Sequence, residues 1–192
     1  MNRVEHIESY FNRLKVVLDE VDVRQVEQVI KIFEAAYDND RTVFICGNGG
    51  SSSAASHWVC DFSKGTNAPG KRRLRMFSLG DNAAMLTAYA NDVDYKQVFS
   101  EPVKTYVRKN DVVIMITASG NSPNILEAAV AAREQGAVTV GLVGFGGGKL
   151  IDLVDHTVVV QSREYGPVED LHMILDHIIS TCVRDYIASY PA

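Results

Sequence analysis

Residues 41–53 read Arg-Thr-Val-Phe-Ile-Cys-Gly-Asn-Gly-Gly-Ser-Ser-Ser, and this stretch decides the fold. Thr42 to Cys46 form a short apolar run that breaks into glycines and serines, the pattern of a buried strand delivering the chain to a glycine loop. The same alternation recurs downstream, with apolar runs at 74–79, 112–117, 138–143 and 157–161. Helical candidates lie between them at 53–64, 82–91, 95–108 and 123–135, and a closing helix runs from Val168 to about Ser189. Upstream, Val4, Ile7, Phe11, Leu14 and Leu18, then Val26, Val29, Ile30 and Phe33, recur at helical spacing and predict two helices hinged near 21–23. Strands that are nearly all apolar, alternating with helices, predict an α/β fold. The expected architecture is a three-layer αβα sandwich around a five-stranded parallel sheet, with ligand-binding loops at the C-terminal ends of the strands. One domain is expected over 1–192, with a helical extension over roughly the first 40 residues.

The 192 residues carry 19 Lys plus Arg against 24 Asp plus Glu, a formal charge of −5 that argues against a general nucleic-acid binder. Hydrophobic residues at 46% support a packed core. Cys46, Cys60 and Cys182 are odd in number and widely spaced, which offers neither a disulfide framework nor a CxxC zinc site and suits a reducing cytoplasm. The N-terminus has charges throughout, and no stretch approaches the roughly 20 apolar residues of a membrane span, so neither secretion nor membrane insertion is expected.

Gly47-Asn48-Gly49-Gly50-Ser51 opens a helix, so its backbone N–H groups and the helix N-terminus can face an anion. It fails as a dinucleotide fingerprint because Ser52 stands where the third glycine must be, and no nucleotide cofactor is expected. Gly65 to Lys71 matches the start of a P-loop, but no strand precedes it and Arg72 replaces the magnesium-binding hydroxyl. A second loop, Thr117-Ala118-Ser119-Gly120-Asn121-Ser122-Pro123-Asn124, concentrates hydroxyls without Lys or Arg, which suits the phosphate of a small metabolite. Ser122 as N-cap and Pro123 as first helical residue also have a purely structural reading. The GFGGG run at 144–148 reads as a flexible turn.

His57 and Asp61 are spaced i, i+4 on one helix face, and Glu169, Met173 and His177 step along one broad face of the last helix. Brought together, the two imidazoles and two carboxylates make a ligand set acceptable to zinc. Taken separately, either histidine could equally be a packed, hydrogen-bonded side chain. His172 with Asp176 is a competing i, i+4 pair, expected to be structural or exposed. Trp58 and the Val26–Phe33 stripe read as core or subunit interface. Lys64, Lys71, Arg72, Arg73 and Arg75 read as a solvated loop, or as a rim that steers an anionic substrate.

VFICGNGGSSSAASH at 43–57, the Ala90-Asn91-Asp92 turn and ITASGNSPNILEAAVAAREQG at 116–136 resemble the sugar isomerase (SIS) domain of the sedoheptulose-7-phosphate, or phosphoheptose, isomerases. The likeness covers nearly the whole chain. It implies ketose–aldose isomerisation of a seven-carbon sugar phosphate by a homotetramer with shared active sites. It places Asn48, Gly49, Gly50, Ser51, Asn91, Asp92, Thr117, Ala118, Ser119, Ser122 and Glu169 at substrate-binding positions. His57, Asp61, Glu169 and His177 fall at zinc-binding or acid–base positions, with Asp61 and His177 expected as the catalytic pair. Three features depart from the family pattern: Asp61 replaces a Glu, Glu169 replaces a Gln, and Thr117-Ala118-Ser119 replaces Ser-Thr-Ser. The alternative is a non-catalytic protein of the same fold that binds sugar phosphates or associates with a replication initiator.

Overall fold

The computed structural model describes residues 2–190. Five parallel strands, β1 (Thr42–Gly47), β2 (Arg75–Ser78), β3 (Val112–Thr117), β4 (Val138–Val143) and β5 (His156–Val159), form one sheet in the order β2-β1-β3-β4-β5. Seven α-helices accompany them: α1 (Arg3–Asp19), α2 (Val23–Asp38), α3 (Gly50–Cys60), α4 (Ala83–Asp92), α5 (Ser100–Tyr106), α6 (Pro123–Glu134) and α7 (Tyr165–Ser189). The expected hinge between α1 and α2 is real. Asp22 accepts a hydrogen bond from Arg24 N at 2.9 Å and so starts the second helix.

Because side chains alternate across a strand, an all-apolar run supplies both faces of the sheet. Val43, Ile45, Ile114, Ile116, Val140 and Leu142 pack under α2, α3 and α7 in one core. Phe44, Cys46, Val113, Met115 and Val143 face α5 and α6 in the other. The three layers follow from that division.

Two predicted helices end differently. The candidate at 95–108 is a 3₁₀ turn, Tyr95–Gln97, followed by the separate helix α5. Pro102 has no N–H to give to a continuous helix but is tolerated in the first turn of a new one. The candidate at 53–64 starts earlier, at Gly50, and widens into a π-helical turn over Asp61–Gly65.

The register places the two glycine- and serine-rich loops side by side. Gly47 pairs with Ile116, and Thr117 pairs with Val143, so the chain leaves β1, β3 and β4 at one level. The strand order reverses between β1 and β3, which opens the ligand crevice of doubly wound sheets at their C-terminal ends.

Candidate active site

The turn out of β1 needs its glycines. A Cβ on Gly47 would lie 2.6 Å from the Ser51 carbonyl oxygen, and Gly49 has φ 55°. The tight turn brings the N-terminus of α3 to the crevice beside that of α6. Asn48 is locked there by a reciprocal amide pair with Asn124, a buried residue in the first turn of α6 (2.9 and 2.8 Å). Tyr95 also donates its hydroxyl to Asn48 Oδ1 at 3.0 Å. That contact ties in the segment after α4, whose last two residues, Asn91 and Asp92, are exposed and joined by a 2.8 Å side-chain hydrogen bond. Neither Tyr95 nor Asn124 was legible as a site residue. Tyr95 stands outside both loops, and Asn124 closes the second loop with no charge or hydroxyl to mark it.

In the second loop, Ser122 occupies the N-cap position of α6, yet among the described residues its side chain makes no capping bond. Its Oγ lies 3.5 Å from Thr117 Oγ1, so capping does not consume this hydroxyl. Ser119 Oγ accepts from Asn121 N at 3.2 Å, and Ala118 is buried. The 144–148 run, expected to be a flexible turn, is a turn whose flanks bond to the hydroxyl loop. Gly144 N donates to Ala118 O and Leu150 N to Gly120 O, both at 3.0 Å, and Lys149 N donates to Asn121 Oδ1 at 3.1 Å. Residues 145–148 all have positive φ, and a Cβ on Gly120 would collide with Gly147 O at 1.9 Å. The hydroxyl loop is therefore held rigid between two helix N-termini, an arrangement suited to a dianion.

Further along α3, His57 and Asp61 meet His177 of α7. His57 Nε2 lies 3.4 Å from His177 Nε2 and 3.7 Å from Asp61 Oδ2, and His177 Nε2 lies 4.0 Å from that same oxygen. The fourth donor is Asp176, whose Oδ2 is 3.7 Å from His57 Nε2. The four donor atoms lie within 4.8 Å of one another. Asp176 is fully buried, and neither of its oxygens has a hydrogen-bond partner among the described residues. Burial pushes its carboxyl up to about 7, and the charge of Asp61 adds to the shift. Two imidazoles and two carboxylates, one of them buried and without a hydrogen bond, fit a divalent metal such as zinc.

Glu169, expected as a metal ligand, is not in this group. Its carboxylate lies against Gly50, where a Cβ would come within 3.0 Å of Oε2. It lines a cavity of about 290 Å³ with Gly50, Ser51, Ser53, His57 and His172, a position compatible with the substrate-side role also expected of it. The physical reason is axial: Glu169 precedes Asp176 by seven residues, roughly 10 Å of helix. His172 and Asp176 are both buried, which excludes the exposed half of the reading made of them as a structural or exposed pair. Among the described residues His172 has no partner in hydrogen-bond geometry for either ring nitrogen, and burial pushes its pKa down to about 4 against a smaller opposing pull from the Val143 backbone.

Arg72 and Arg75 of the basic cluster are engaged away from this site. Arg72 stacks over the Tyr37 ring at 4.7 Å, and Arg75 pairs with Asp40 at 2.8 Å, where β2 begins at the far edge of the sheet.

A family model described as SIS domain matches residues 9–144. Together with the doubly wound sheet and the paired crevice loops, that match makes this an SIS-domain protein. The phosphoheptose isomerase of Fusobacterium nucleatum is 34% identical over 180 residues, covering 93% of this chain and 92% of the relative. That of Aneurinibacillus thermoaerophilus is 34% identical over 185 residues, covering 95% and 92%. The structure of phosphoheptose isomerase from Neisseria gonorrhoeae superposes with a TM-score of 0.89 at 27% identity, covering 96% of this chain and all of that one. The chain belongs to the phosphoheptose isomerase family.

Proposed function

We infer that the protein is a sugar-phosphate isomerase that converts sedoheptulose 7-phosphate to an aldose heptose 7-phosphate through an enediol. The observation that carries this reading is the convergence of His57, Asp61 and His177 at the C-terminal end of α3, whose first turn borders the anion-binding loops. Seven residues of helix separate Gly50 from His57, roughly 10 Å. In a ketose 7-phosphate the phosphate sits at one end of the chain and the reacting C1 and C2 at the other, so the two parts of the site match the two ends of the substrate.

Thr117, Ser119 and Ser122, with the N-termini of α3 and α6, hold the phosphate and thereby fix the position of the reacting carbons. Asn48, Asn91, Asp92 and Glu169 meet sugar hydroxyls. Asp61 takes a proton from C1 and returns it to C2, while His177 carries the proton lost from O1 to O2. Carbon and oxygen each exchange one proton, so no redox cofactor is needed. His57, Asp61 and His177 would hold zinc, which when bound would polarise the ketose carbonyl as a Lewis acid. Metal and proton cannot share the His177 Nε2 lone pair, so the zinc dependence of turnover reports which role His177 has.

We also propose self-association into a homotetramer in the cytoplasm. Val4, Ile7 and Phe11 of α1 are exposed, and α4 buries no residue at all within the single chain. Light scattering that gave a mass near 21.1 kDa would overturn it. The cysteines are free, and no described helix is long and apolar enough to cross a membrane.

The deciding experiment incubates the purified protein with a panel of ketose phosphates, with and without zinc, and follows the aldose by NMR. Aldose formation from the seven-carbon substrate is expected. Binding of the panel without turnover would favour the non-catalytic alternative.

A further inference from the structure

We propose that Asp176 is the fourth ligand of the metal centre built on His57, Asp61 and His177, in the place expected of Glu169. The inference rests on reading that cluster as a metal site. Tetrahedral zinc with bonds of about 2.0–2.2 Å spaces its donors about 3.3–3.6 Å apart. The two imidazole nitrogens are already 3.4 Å apart, His57 lies 3.7 Å from an oxygen of each carboxylate, His177 lies 4.0 Å from Asp61, and all four donors lie within 4.8 Å of one another. Small side-chain rotations close that difference.

Burial is the decisive feature. His57, Asp61 and His177 are 47%, 33% and 59% exposed at the side chain, whereas Asp176 is 0% exposed and forms the floor beneath them. Both of its oxygens are without hydrogen bonds among the described residues, and 3.7 Å to His57 is too long for one. A carboxylate in that position is matched by a cation shared with its neighbours. Asp61 reaches less far than a Glu would, and the helix widens to π geometry at that residue, a distortion that recurs at functional sites. Asp176 supplies a second carboxylate from the facing helix. The resulting two-imidazole, two-carboxylate set neutralises a divalent ion and admits Co²⁺ and Mn²⁺ as well as Zn²⁺. Glu169 is left beside Gly50, free to meet the substrate.

The test uses full-length protein stripped with a chelator and titrated with Zn²⁺ or Co²⁺ alone, with the visible spectrum of bound Co²⁺ recorded. Asp176→Asn is expected to weaken Zn²⁺ binding by about 100-fold or more and to change the Co²⁺ spectrum. It should also abolish the rise in thermal midpoint that Zn²⁺ gives the wild type. Glu169→Gln should leave affinity and spectrum unchanged. Thermal midpoints in chelator check that the variants fold, and Asp176→Leu replaces Asp176→Asn if the latter does not. Wild-type affinity and spectrum in the Asp176 variant, or loss of metal in Glu169→Gln, overturns the assignment. Either result leaves the isomerase reading standing, because that is judged by aldose formation.

Discussion

Asn48 and Asn124 bind each other through both halves of their amides, at 2.9 and 2.8 Å, and so join the loop after β1 to the first turn of α6 across the reversal in strand order. This pair holds the two walls of the crevice in register. Asn124→Ala leaves Asn48 Nδ2 without that partner in a part-buried setting. We expect a loss of about 1–3 kcal/mol in unfolding free energy and a raised KM, both read from urea titrations and steady-state kinetics. Unchanged values would show that the pair does not brace the crevice.

Ser122 and Ser119 separate ligand binding from loop structure. Ser122 Oγ caps nothing among the described residues, so Ser122→Ala should raise KM with little effect on stability. One lost charge-assisted hydrogen bond corresponds to about 1.5–3 kcal/mol, or roughly 10- to 150-fold. Ser119→Ala removes an acceptor for Asn121 N as well, so it should raise KM and also lower the melting temperature. Wild-type KM in both variants would exclude this loop as the phosphate site.

Asp61 and His177 should govern turnover. Asp61→Asn keeps the size of the side chain but abolishes its basicity, and His177→Ala removes the imidazole. Each is expected to lower kcat by about 10²-fold or more with a much smaller change in KM. Undiminished kcat in both variants would rule out the proposed proton transfers.

His172 and Asp176 should tilt stability in opposite directions with pH when metal is chelated. The His172 pKa falls from 6.5 to about 4 on burial, so its contribution is complete above pH 6.5 and is lost as pH falls through 4. The Asp176 pKa rises from 3.8 to about 7, so stability is complete below pH 3.8 and is lost as pH rises through 7. The full shifts are worth about 3 kcal/mol for His172 and about 4 kcal/mol for Asp176, and in the wild type the two slopes partly cancel. Urea midpoints between pH 4 and 7 should therefore rise with pH in Asp176→Asn and fall in His172→Gln. Parallel profiles in the two variants would contradict this.

Local rules made much of this protein readable. Apolar runs and glycine loops specify strands and turns within a few residues of chain, and His57 and Asp61 share a face because i, i+4 neighbours on one helix always do. The bracing around the positive-φ turn at 145–148 escaped that reading: glycine permits such a turn, but Gly144, Lys149 and Leu150 at its flanks bond to Ala118, Asn121 and Gly120, far away in sequence. The sharpest case is the last helix. Glu169 and Asp176 are seven residues apart, about two turns, so they project from nearly the same face of α7 and periodicity cannot choose between them. The choice is made by how α7 lies along α3, with Glu169 against Gly50 and Asp176 against His57, seven residues on along both helices. Sequence spacing fixes the angle of a side chain around its helix, whereas its height against a neighbouring helix is set by packing, and that height decides which carboxylate reaches the histidines.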